Sequence, residues 1–277
     1  MILIDRLYQT RFPDRGALFL DALASTLLGI LCGALFFSSD KLNVLVGPVA
    51  VFLASFAIQG RMRILLDQNR REIWEGQRTP RAANTTLALS ILALFLGVFT
   101  AFIFLAAILD PNQVQSWFGP QMERYQYLSS FQDFSIPPLP ALIANNLGVL
   151  FISFILAIFY RAGGALLVIC WNASVWGAVI GTVFNRSGGP GMFGTVLICL
   201  AMLPHLLLEA VAYIVVSMDG IFLSKAFAKY PIASYRFISV ARAVLRLFAV
   251  SVLLVLCAAL VEAHLAPAII NLFSRAG

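Results

Sequence analysis

The sequence predicts an all-α, polytopic transmembrane helix bundle of about seven spans, with its N-terminus inside and its C-terminus outside. Three observations predict it. Of the 277 residues, 61% are hydrophobic and only 12% are charged, whereas a soluble domain carries about 25% charged residues. The apolar residues fall into seven runs, each near the length of about 20 residues that crosses a bilayer as a helix. The basic residues collect on one side of those runs. With the N-terminus inside, 15 of them fall inside: Arg6, Arg11, Arg15, the six arginines of 61–81, Arg161, Lys225, Lys229, Arg236, Arg242 and Arg246. Only four, Lys41, Arg124, Arg186 and Arg275, fall outside. That bias orients multi-pass proteins in the cell membrane. It also explains the net charge of +6 without a nucleic-acid partner.

The first span is expected at 16–37 and contains Gly29-x-x-x-Gly33, a spacing that lets two helices approach closely. No small-residue cleavage site follows a short apolar region, so no cleaved signal peptide is expected at the N-terminus. A second span is expected at 42–59. Residues 60–84 are the most charged segment, and their apolar positions predict a helix lying on the membrane surface at about 61–78. Arg70, Arg71, Arg78 and Arg81 lie there, either solvated beside lipid headgroups or forming a surface for a partner. Residues 1–86 therefore read as a helix pair plus a basic cytoplasmic segment, and 87–277 as the main membrane domain.

The third span, 87–109, ends at Asp110-Pro111. The loop after it is rich in aromatic residues, and Phe118, Met122 and Tyr125 share a helix face. A second interfacial helix is expected at about 112–134. The fourth and fifth spans are expected at 141–160 and 165–184, the latter carrying Gly177-x-x-x-Gly181. The turn after it has the glycine content of a phosphate loop but lacks the Gly-Lys-Ser/Thr ending. The sixth apolar run is 193–216. Gly220 is expected to break the helix beyond it, and Pro231 to end a second short one. The last span is expected at 240–261, with Glu262, His264 and Pro267 beyond its end. The four cysteines all lie in apolar runs and form no C-x-x-C, so they read as core residues.

The polar residues inside these runs are the candidate site. His205 and Glu209 sit four apart near the middle of the sixth run, one turn apart on one helix face. Asn145, Asn146 and Asn172 fall at outer to middle depth in the neighbouring spans. A charged group at the bilayer centre costs about 2.5–3.5 kcal/mol on insertion scales, so these residues must face protein or a cavity. Two readings compete: an ion, proton or metal site, and a polar lock that fixes helix packing. The lock is preferred, because every polar group in lipid needs a partner whatever the protein does. A zinc peptidase would need a third ligand beside His205 and Glu209. A serine protease would need Ser153 or Ser174 beside a base. The expectation is no catalytic residue, no metal and no cofactor.

From about residue 87 to the end, the chain resembles the stage II sporulation protein M family of bacterial and archaeal membrane proteins. The resemblance rests on Asn145-Asn146, on Asn172 with Gly177, and on Pro204-His205 followed by Glu209 and Gly220. The end, Ala258-Ala259-Leu260-Val261-Glu262-Ala263 with Pro267, looks like the family's C-terminal signature. Two positions depart from the pattern: Leu206 and Ala173 stand where the family usually has glycine. The best-known member supports engulfment during spore formation, in a membrane complex that remodels peptidoglycan, where it acts as a scaffold. The resemblance therefore implies a non-enzymatic scaffold or assembly subunit of a membrane protein complex. Its partners would be membrane lipids, other subunits, a cell-wall-associated protein, or a second copy in a homo-oligomer. The alternative is a transporter or channel subunit, as the membrane partner of a cytoplasmic ATPase.

Overall fold

The structure, a computed structural model, describes residues 14–37, 39, 42–123, 137–185 and 191–274. The described residues contain helices and no strand. In chain order they are α1 (Arg15–Phe36), a short 3-10 turn (Asn43–Leu45), α2 (Val46–Trp74), α3 (Pro80–Ile108), α4 (Pro111–Met122), α5 (Leu139–Tyr160), α6 (Ala162–Asn185), α7 (Gly191–Lys229) and α8 (Tyr235–Ser274). All but α4 among the α-helices are long and apolar enough to cross a membrane, giving seven candidate spans.

Local chemistry sets several helix starts. The Asp14 carboxylate accepts from the Gly16 amide, 3.3 Å, at the start of α1. Thr79 caps α3 through the Ala82 amide, with Pro80 in the first turn. Asp110 caps α4 through the Asn112 amide at 2.8 Å. Pro111 follows at the first helical position, where its missing N–H costs nothing. The same dipeptide that ends the third span thus begins the next helix.

The helices alternate in direction, so one end of the bundle gathers the start of α1, the α2–α3 turn, the α5–α6 turn and the α7–α8 turn. Every described lysine and arginine lies toward this basic end. The α1–α2 turn, α4, the α6–α7 turn and the end of α8 lie opposite. The charge bias predicts that the basic end faces inward. Cysteines at Gln77 and Gln113, both exposed, should therefore label from opposite sides of intact cells. Gln113 should be reached from outside; labelling of both from one side would break the seven-span arrangement.

Packing centres on α6, which has the most buried span of the seven and touches α2, α3, α4, α5 and α7. α1 packs along α2 and α3, and α8 packs mainly on α7. The main apolar core joins Leu18 and Ile30 of α1, Ile58 and Leu65 of α2, Leu94 and Phe102 of α3, and Trp176 of α6. The first two spans therefore share one core with the rest of the chain, and packing crosses residue 86 without a break.

Three local expectations are corrected. No separate surface helix forms at 61–78, because α2 runs on to Trp74. Met62, Leu65, Leu66, Asn69 and Glu72 continue a buried stripe, while Arg63, Arg70 and Arg71 point outward. At 1.5 Å per residue its 29 residues span about 43 Å, so its last turns project past a hydrocarbon core of about 30 Å. Of the segment expected to be helical at 112–134, the described part is a helix, Pro111–Met122; residues 124–134 lie outside the described residues, as do Arg6, Arg11, Lys41, Arg124, Arg186 and Arg275. α4 turns Val114, Phe118 and Met122 into the bundle, with the Phe118 ring 5.1 Å from that of Phe102. Gly220 does not break α7. A Cβ there would meet the Ala157 methyl at 2.6 Å and the Phe154 carbonyl at 2.7 Å, so this glycine is a flat contact between α7 and α5. Finally, α8 extends from Tyr235 to Ser274, so Glu262 and Pro267 lie within it.

Candidate functional site

The intramembrane polar residues sit where α5, α6 and α7 meet. Successive helix residues point about 100° apart, so Asn145 is exposed while Asn146 is buried. The Asn145 amide donates to Asn146 Oδ1 at 2.9 Å. The Asn146 amide in turn donates to Glu209 Oε1 at 2.5 Å. Glu209 is 3% exposed and Asn146 2%, so this bond between α5 and α7 is shielded from solvent. Burial makes such a bond matter twice. It is stronger in a low dielectric, and breaking it strands a polar group.

His205 does not join this chain. It lies one turn before Glu209 and is 1% exposed, yet neither ring nitrogen has a hydrogen-bond partner. Its ring instead meets Trp176 of α6 edge-on, with centroids 5.3 Å apart and an interplanar angle of 69°. The expected pairing of His205 with Glu209 is thus replaced by two separate contacts, Glu209 to α5 and His205 to α6. Asn172 is also apart: its amide donates to the Val168 carbonyl one turn back, at 2.9 Å. Trp176, one turn after Asn172, is the residue of α6 that meets the site.

A phenylalanine at 205 would keep the ring contact with Trp176 and remove two unpaired nitrogens. Replacing a buried polar group by an apolar one of similar shape is near neutral. His205→Phe should leave the melting temperature in detergent unchanged or slightly raised, and His205→Ala should lower it by opening a cavity. A His205→Phe protein as unstable as His205→Ala would show that the nitrogens are bonded in the folded protein.

The remaining expected residues are dispersed. Glu262 of α8 is buried and Pro267 lies five residues on, while His264 is exposed. Arg78 closes the α2–α3 turn, 3.6 Å from Glu72 and donating to Thr86 Oγ1 at 3.0 Å. Arg70, Arg71 and Arg81 are exposed. The hydroxyls of Ser153 and Ser174 donate to the Val149 and Trp171 carbonyls of their own helices. Among the described residues no three His, Cys, Asp or Glu side chains gather in a group that could hold a metal ion.

A family model described as stage II sporulation protein M matches residues 22–267. The chain belongs to the stage II sporulation protein M family. The match begins inside α1, so the first two spans are part of the family pattern, beyond the reach of the motifs found from residue 87 onward. It ends at Pro267. No curated protein and no solved structure matches the chain. In this family member the two positions that depart from glycine are absorbed by packing: Leu206 and Ala173 both lie in the main apolar core.

Sequence reading missed Asp219. It is fully buried, and neither carboxylate oxygen has a hydrogen-bond partner. The signal was present, since Ile214, Val216, Met218 and Ile221 continue the apolar pattern around it. The expected break at Gly220 hid it.

Proposed function

We propose that this protein is a non-enzymatic scaffold or assembly subunit of a membrane protein complex. The observation that carries the reading is the hydrogen-bonded chain Asn145–Asn146–Glu209, which joins α5 to α7 inside the membrane. Its groups are used on one another, as a lock requires. The Ser153 and Ser174 hydroxyls donate to backbone carbonyls of their own helices, while those of Ser217 and Ser251 are buried without a hydrogen-bond partner. On this reading the lock holds α7 at a fixed height, and α8, which packs mainly on α7, with it. α5 and α8 then present broad lateral faces, including Phe151, Ile155, Leu245 and Leu253, to lipid and to neighbouring subunits.

A transporter or channel subunit coupled to a cytoplasmic ATPase is the second reading. Buried Asp219 favours it, because an ionisable residue within a span is often part of a pathway. Against it stands a mostly apolar layer. Leu150, Ala212, Tyr213, Val216 and Val255 pack together at the levels of α7 that separate Glu209 from Asp219. The two polar levels are ten residues apart, about 15 Å along the helix.

Purification from native membranes, with mass spectrometry of the proteins that accompany the chain, separates the two. A cell-wall-associated or integral membrane partner in fixed ratio is expected. A cytoplasmic ATPase in fixed ratio would replace the scaffold reading with transport.

A further inference from the structure

A cavity of about 580 Å³ opens at the basic end, bordered by α2, α7, α8 and the α5–α6 turn. One part of its wall is apolar: Trp74 of α2, Phe222 of α7, and Val244 and Leu247 of α8. The other part is charged, with Arg70, Arg161, Lys225 and Lys229 set against Asp67 and Asp219. Lys229 links the two, its ammonium lying 4.9 Å from the centre of the Trp74 ring.

Two features of the charged wall lack an internal partner. The first is its excess of positive charge. Lys225 is half-buried and within Coulombic range of both Arg70 and Arg161, with Asp67 as the opposing charge. Arg161 is held in this group at φ +52°, a backbone region that costs a residue with a side chain about 1–3 kcal/mol. Its guanidinium donates to Ser224 of α7 at 3.3 Å. Arg70, Arg161 and Lys229 are exposed at the cavity mouth, and together with half-buried Lys225 they favour an anion there. The second feature is Asp219, fully buried against the cavity with both oxygens unpaired. A buried carboxylate needs a donor.

We propose that this cavity binds the headgroup of an anionic glycerophospholipid that carries free hydroxyls, the phosphatidylglycerol class. The phosphodiester lies among Arg70, Arg161 and Lys225, the side chains that cover Asp219 shift so that a headgroup hydroxyl donates to it, and the acyl chains run along Phe222, Val244 and Leu247. A hydroxyl suits Asp219 better than an ammonium, which would add a fifth cation to a wall that already carries four. A phosphodiester could also come from a soluble molecule. The apolar wall, and the position of the cavity at the end of a membrane bundle, favour the lipid.

The test uses the full-length protein in a neutral detergent and reads melting temperature against added ligand. Phosphatidylglycerol should raise the melting temperature saturably. Phosphatidylcholine with the same acyl chains, glycerol 3-phosphate and polyglutamate should not. Arg70→Gln and Lys225→Gln should each weaken phosphatidylglycerol binding about fivefold, the loss of one cation facing an anionic headgroup. Asp219→Asn, which keeps a carbonyl acceptor, should bind, and Asp219→Leu should not. Arg70 is exposed, so its variant retains the fold even where an Asp219 variant does not. Equal response to phosphatidylcholine, or binding unchanged in both Arg70→Gln and Lys225→Gln, would overturn the proposal. Glycerol 3-phosphate acting as strongly as the lipid would make this a soluble-phosphate site. A larger response to polyglutamate would make it a docking site for an acidic protein segment.

Discussion

Glu209→Leu is expected to destabilise the bundle by about 1–3 kcal/mol, because it leaves the Asn146 amide buried and unpaired. The bond it removes, Asn146 to Glu209, links α5 to α7 with both side chains buried. Hydrogen bonds between membrane helices contribute only about 0.6 kcal/mol on average, since groups in the unfolded chain find other partners within the membrane. The larger figure applies because Asn146 stays caged when its acceptor is lost. Glu209→Gln keeps an acceptor at the same place and should cost under about 1 kcal/mol. Asn146→Leu combined with Glu209→Leu should cost less than the two single changes together, since the second removes the group that the first strands. Unfolding of the purified variants in mixed micelles measures all four. Glutamine as damaging as leucine would mean that the site requires a carboxylate and not merely a hydrogen bond.

The largest effect is expected at the α3–α6 interface. A Cβ on Gly177 would lie 2.6 Å from the Phe99 carbonyl oxygen, and one on Gly181 would lie 2.5 Å from that of Ile103. Both obstacles are backbone atoms of α3, so no side chain can rotate away and the helices must separate. Gly181→Ala should cost about 1–3 kcal/mol, the usual range for overpacking. Gly177→Leu with Gly181→Leu should prevent stable accumulation in the membrane, because α6 is packed against α2, α3, α4, α5 and α7. Gly148 of α5 supplies the control, as a Cβ there meets nothing within 4 Å. Gly148→Leu should change stability by no more than about 0.5 kcal/mol. Accumulation of the double variant at the level of Gly148→Leu would show that close approach does not hold these helices together.

Much of this was legible in the chain. Apolar run length marks seven spans, and Gly177-x-x-x-Gly181 marks the tight crossing on α3. Asn146 and Glu209 were identifiable because polar groups within apolar runs are rare enough to stand out. The partners were less legible. Spacing puts His205 and Glu209 on one face of α7, but a face one turn long borders two neighbours. His205 reaches Trp176 on α6, while Glu209 reaches Asn146 on α5. Gly220 misled because intrinsic propensity and tertiary contact oppose each other there. Alone, a glycine weakens a helix by about 1 kcal/mol; against Ala157 it permits a contact that no other residue allows. The arginines of 61–81 hid the continuation of α2 in the same way. Their exposed charges set the average character of the segment, while Met62, Leu65 and Leu66 keep its inner face buried.

On the proposed reading the polar cluster holds an assembly subunit in shape and performs no chemistry of its own. The most direct test compares wild type, Glu209→Gln and Glu209→Leu, each purified from native membranes at equal expression, by the amount of partner protein recovered per chain. Wild-type recovery and wild-type function in the cell are expected for Glu209→Gln, with reduced recovery for Glu209→Leu. A Glu209→Gln protein that recovers its partners in full yet leaves the cell without function would contradict it.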